Sequence, residues 1–227
     1  MSIDTIGLNH LIIPMFHASK DSVLETWVSP GINPAIWGTA IAATGLVALD
    51  KTEQPYQKAV LTGTVNADTA RLYAQRQWSV GPTVWGDNTV WKRFVMMWEA
   101  KFVTVASIEN TTFLMGLSPT LVATRATNET IGFVLTADVL NSLTDNAGTE
   151  TVNAVGAPVL TNWHTYAIEA YQGGIVFYVD GAAIVTHSTN LPDYNFYPTF
   201  YLPQEAAANG GELHIGQVAL WHEPVMR

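Results

Sequence analysis

The chain is 227 residues long and carries 10 basic against 19 acidic side chains, a formal net charge of −9. That charge repels phosphate backbones and anionic lipid surfaces, which argues against binding to nucleic acid or to anionic membrane surfaces. There is no cysteine, so disulfide scaffolding and thiolate chemistry are both ruled out.

Hydrophobic residues make up 48%, enough for a sizeable core without staples. Charged residues make up only 13%, and Gly, Trp, Tyr and Phe are plentiful. This suits short strands and turns better than long solvated helices. The whole chain, 1–227, is read as one all-β domain in which residues 1–90 are the hardest part to assign.

In chain order, the first residues show neither a basic region nor a small-residue cleavage site, so no secretory signal is read there. The apolar run that starts at Ala35 is too short to cross a bilayer and is interrupted by Gly38 and Gly45. The stretch from Ala70 fits either a strand or a short helix. Trp78, Trp85 and Trp91 then fall among Gly, Pro, Asn and Asp. A loop tryptophan offers a flat apolar face for a sugar ring or a partner's pocket, so these three are the candidate ligand-binding residues. The competing reading makes them core or end-capping residues, as in most tryptophan-rich folds.

Alternation then predicts a strand with Phe94, Met96, Trp98, Ala100 and Phe102 facing inward. Further strands are predicted from Thr112 and Thr130, and one helical turn from Ala137. The clearest pattern runs from His164 to Ser188 as a three-strand antiparallel meander. Gly173-Gly174 marks its first turn, and Asp180-Gly181 its second, a type I′ hairpin signal. Tyr194, Tyr197 and Tyr201 pose the same choice between surface and core, with Tyr197 held extended by the proline after it. In the last strand, ending at Trp221, Gly216 predicts a bulge or a close approach.

Residues 162–187 resemble the signature hairpins of concanavalin A-like (LamG-like) jelly-roll domains. Trp163-His164 opens a strand, and Tyr178-Val179-Asp180-Gly181 closes the next. The resemblance implies an antiparallel β-sandwich of jelly-roll type. It also implies that Trp163 packs in the core and that Asp180-Gly181 is a structural turn, so neither is carried over as a ligand residue. Domains of this composition resemble bacteriophage structural proteins. The expectation is therefore a non-catalytic virion or surface-recognition protein, a tail-fibre, receptor-binding or capsid-decoration component. It would be assembled in the host cytoplasm, bind glycan or other virion subunits, and form homo-oligomers.

The alternative is a glycoside hydrolase of the same superfamily, whose retaining members carry Glu-x-Asp-x-x-Glu on one strand. That motif is absent. Glu99, Glu169 and Glu212 are the carboxylates that a concave sheet could bring together, though each also fits a solvent-facing position on an alternating strand. The six histidines show no metal-ligand spacing. Asp145, Asn146 and Glu150 offer hard oxygens for calcium, but an Asx-type turn is the favoured reading. No cofactor or metal is expected, and no phosphate-binding loop or nucleophile elbow occurs. Glycosylation sequons at Asn110 and Asn128 are read as incidental.

Overall fold

The computed structural model describes residues 22–25, 32–50, 58–63, 68–80, 91–105, 108, 112–121, 125, 129–156, 158–203 and 211–224. Two antiparallel sheets of eight strands form a sandwich. Sheet A runs β14 (Ala182–His187), β13 (Gly174–Val179), β12 (His164–Tyr171), β7 (Trp91–Phe102), β16 (Gly211–Pro224), β4 (Lys58–Gly63) and β3 (Leu46–Asp50). A short strand, β1 (Ser22–Glu25), pairs with the second half of β16. Sheet B runs β11 (Thr149–Ala154), β10 (Val139–Asn146), β9 (Ile131–Thr136), β8 (Leu114–Ser118), β15 (Tyr194–Pro203), β5 (Thr69–Ala74) and β2 (Trp37–Ala42). There β6 (Trp78–Val80) pairs with the start of β15. Strands from before residue 90 thus enter both sheets.

The core follows from alternation. Phe94, Met96, Trp98, Ala100 and Phe102 of β7 are all fully buried, as predicted. Trp98 lies 5.7 Å, ring to ring, from both Phe133 and Phe200 of the opposite sheet, and 5.9 Å from Tyr166 beside it. Edge-to-face aromatic packing of this kind fills the space between two sheets.

The meander forms as read. Asp180 and Gly181 both take positive φ, 52° and 78°, as a type I′ turn requires. The Asp180 carboxylate accepts the Thr165 N–H at 3.0 Å and meets His164 Nδ1 at 2.7 Å, which ties this turn to the start of β12.

Two expectations are corrected, and one open choice is decided. The segment at Ala137 is not a helical turn: Ala137 and Asp138 take positive φ and lead into β10. The segment at Ala70 takes the strand alternative: β5 runs to Ala74, residues 75–77 bend, and β6 starts at Trp78. Trp78 is not a loop residue: it sits on β6, 1% exposed, with its ring 5.6 Å from Phe94 and 5.0 Å from His222.

The predicted irregularity at Gly216 is a β-bulge. Pairing of β16 with β7 shifts between Ile215 and Val218, so Gly216 and Gln217 together stand opposite Glu99.

Candidate functional site

Side chains in a strand alternate between faces, so the residues of β7 between its core positions point away from sheet B. Arg93, Val95, Met97, Glu99 and Lys101 therefore share the outer face of sheet A. Register adds Thr165, Ala167 and Glu169 from β12, Tyr178 from β13, and His214, Ala219 and Trp221 from β16.

One end of this face is polar. Glu99 is half-buried over the bulge, and its carboxylate accepts the Gln217 backbone N–H. Burial raises its pKa above the ordinary carboxylate value, and the hydrogen bond offsets this in part. Gly216 leaves the room it needs: a Cβ there would lie 2.8 Å from Glu99 Oε2 and 3.5 Å from the Trp163 ring. Trp163 is 40% exposed, with the Lys101 ammonium 5.3 Å from its ring centroid and the His214 ring 6.3 Å away. His214 Nε2 is in turn bonded to the Glu212 carboxylate. Trp163 is therefore not the core residue that the family resemblance implied. It lies one residue before the inward-facing phase of β12, which carries it onto the outer face.

Further along the face is a groove of about 260 Å³. Val95, Met97 and Ala167 form its floor, and Tyr178 and Trp221 flank it. At its end Glu169 accepts hydrogen bonds from Arg93 Nη1 at 2.8 Å and from the Tyr178 hydroxyl at 2.6 Å. Burial and the adjacent carboxylate push the Tyr178 pKa up to about 12, so its hydroxyl stays a donor at neutral pH.

Glu99, Glu169 and Glu212 share the outer face but take separate partners. Glu99 stands opposite Thr165, and Glu169 opposite Val95, four register positions along. At a strand's rise this separates their backbones by about 13 Å. The carboxyl spacings that glycoside hydrolysis uses are about 5–9 Å. The calcium candidates are likewise engaged. Asp145 Oδ1 accepts the N–H of Gly148, three residues on, at 2.8 Å and so closes the β10–β11 turn, and Glu150 meets Arg125 at 3.4 Å. Among the described residues no group of three or more His, Asp or Glu is placed to hold a metal.

Of the three predicted ligand tryptophans, Trp78 is in the core, since its ring is closed off by Phe94 and His222. Trp85 lies outside the described residues, and Trp91 contributes its backbone as the first residue of β7. Tyr194 is exposed, Tyr197 is partly buried, and Tyr201 is buried beneath the Arg71 guanidinium at 4.5 Å. Asn110 and Asn128 lie outside the described residues. Among the described residues no helix is long and apolar enough to cross a membrane.

No protein-family model and no curated protein matches the sequence. Solved structures do match the fold. A β-glucanase of Bacillus licheniformis superposes with a TM-score of 0.60 at 15% identity, over 89% of this chain and 99% of its own. A structure from work on endo-acting O-glycanases of the human gut microbiota gives 0.61 at 12%, over 88% and 98%. The carbohydrate recognition domain of Emp47p gives 0.58 at 11%, over 88% and 94%. At these identities the likeness is one of architecture alone, an antiparallel jelly-roll β-sandwich.

Proposed function

We propose that this protein is a non-catalytic glycan-binding β-sandwich that takes its ligand on the outer face of sheet A. The observation that carries this reading is the half-exposed Trp163 ring beside the Glu99 carboxyl, at the head of a groove on the same face. An aromatic face stacks on the C–H side of a pyranose, and an adjacent carboxyl bonds its hydroxyls. Support also comes from the architecture, shared with a carbohydrate recognition domain and a glucanase. The setting we propose is surface recognition within a virion, as a tail-fibre, receptor-binding or capsid-decoration component that self-associates. That setting rests on the acidic, cysteine-free composition alone.

A glycan array tests the reading. Wild type should retain at least one glycan class, and Trp163→Ala should weaken it by tenfold or more with the melting temperature unchanged. Absence of any glycan binding by wild type would overturn it.

The raised carboxyl of Glu99 is the one feature favouring a glycoside hydrolase, since a general acid needs that shift. The separate anchoring of Glu169 and Glu212 weighs against it. Release of reducing ends by wild type, abolished in Glu99→Gln, would make the hydrolase the better account.

A further inference from the structure

We infer that the groove beyond Glu99 receives the methyl-bearing substituent of a neutral sugar residue, an N-acetyl group or the C6 methyl of a 6-deoxy sugar. The inference rests on the glycan-binding reading and deepens it by naming the kind of sugar.

It begins with register. Met97 is paired to Ala167 on one side and to Ala219 on the other, so the bulky position of the central strand has two small neighbours. The next strand out puts Tyr178 opposite Ala167, and β16 puts Trp221 opposite Val95. Small residues between large ones make a trough whose floor is hydrocarbon.

Such a floor gives a hydroxyl nothing to bond. A sugar CH–OH pressed onto it loses water without compensation, whereas a methyl group gains from leaving water. A hexose with hydroxyls all round has no group suited to this trough.

Charge sets the second condition. Among the described residues lining the groove the cation is Arg93, bonded at 2.8 Å to Glu169, which also accepts from Tyr178. Among the described lining residues this cation and anion offset each other, so the pair leaves no spare positive charge for a uronic acid or a sulfate. What remains are hydrogen-bonding atoms along a wall, which suit the amide or ring oxygens of a neutral ligand. Size sets the third: about 260 Å³ is below the usual range for a pocket that encloses a drug-sized ligand, so one ring substituent or one ring is accommodated.

The test is calorimetric titration of the full chain with N-acetylglucosamine, rhamnose and glucose as probes, repeated on Ala167→Leu and Met97→Gln. Ala167→Leu fills the trough. Met97→Gln keeps the side chain's length and makes the floor polar, which gives an independent variant should the first fold poorly. Wild type should prefer at least one of the two methyl-bearing sugars over glucose by about tenfold, the usual return for filling an apolar site. Both variants should lose that preference. The two methyl-bearing probes separate the amide source of the methyl from the deoxy source. Equal affinity for glucose, or a preference untouched in both variants, overturns the inference and leaves the glycan reading standing. If wild type binds no glycan in any format, both fall.

Discussion

At the scale of single residues, Glu99 carries a cost that its position explains. Its carboxyl is half-buried and its pKa is raised by desolvation, so the folded protein holds that proton more tightly than the unfolded chain does. The stability it contributes is therefore greatest when the carboxyl is protonated. That contribution diminishes as pH rises from the unfolded value through the folded one. At neutral pH the ionised carboxylate is a burden on the fold. Glu99→Gln should raise the melting temperature at pH 7 and weaken glycan binding by at least tenfold, with calorimetry and the array as the two readouts. A fall in both would mean that Glu99 is simply a structural residue. The sequence made Glu99 visible as an outward residue on an alternating strand, in phase with Lys101. It could not show the desolvation, because that comes from burial against parts of the chain distant in sequence, the Gly216–Gln217 bulge and Trp163 among them.

At the scale of elements, alternation was legible wherever a strand has one buried and one open face. The inward set of β7 and the whole meander β12–β14 follow from it. The β9–β10 turn was not legible, because Ala137 and Asp138 occupy left-handed backbone without a glycine to announce it. Trp78 was misplaced because the Gly- and Pro-rich composition around it hides a three-residue strand. Trp163 was misplaced for the opposite reason: the family resemblance put it in the core, while the phase of β12 points it outward. The bulge in β16 shows the same phase argument at work. Leu213 and Ile215 face inward before it, Val218 and Leu220 after it, and all four are fully buried. The spacing between these core positions is two residues, then three, then two. Removing one residue from the middle would restore unbroken alternation with the same core, so the fold has no need of the bulge. Deletion of Gly216 should give a folded protein with a melting temperature within a few degrees of wild type. Glu99 should lose its seat, and glycan binding with it. Failure of the deletion variant to fold would show that the bulge is structural.

At the scale of the whole molecule, the two sheets are joined along one edge by a polar clasp. His187 of β14 is 1% exposed. Its Nδ1 lies 2.9 Å from the Thr144 hydroxyl, and its Nε2 lies 3.0 Å from Ser142 Oγ and 3.1 Å from the Asn153 amide nitrogen. With Asn153 donating to Nε2, the ring is the neutral Nδ1–H form, and Thr144 can relay the bond to the Thr189 carbonyl at 3.5 Å. The Phe177 ring covers one side at 4.9 Å. These partners are hydroxyls, an amide and a carbonyl, and none of them is charged. Burial lowers the His187 pKa to about 4 from the ordinary 6.5. Above pH 6.5 the ring is neutral in both the folded and unfolded chain, and the clasp contributes fully. Below it, the unfolded chain takes up a proton that the folded one refuses, so stability falls steadily until pH is about 4. His187→Gln should melt lower than wild type at pH 7 by several degrees, and the gap should narrow on acidification. A gap that is constant with pH would remove His187 from the account.

The clasp also gives the molecule an order of dismantling. Acid acts on an edge strand of each sheet, while the proposed ligand face lies on β7, β12 and β16 toward the middle of sheet A. Amides of β14, β10 and β11 should exchange with solvent first as pH falls toward 4, before those of β7 and β16. A mildly acidic compartment would then loosen one margin of the sandwich while β7, β12 and β16 keep their protection.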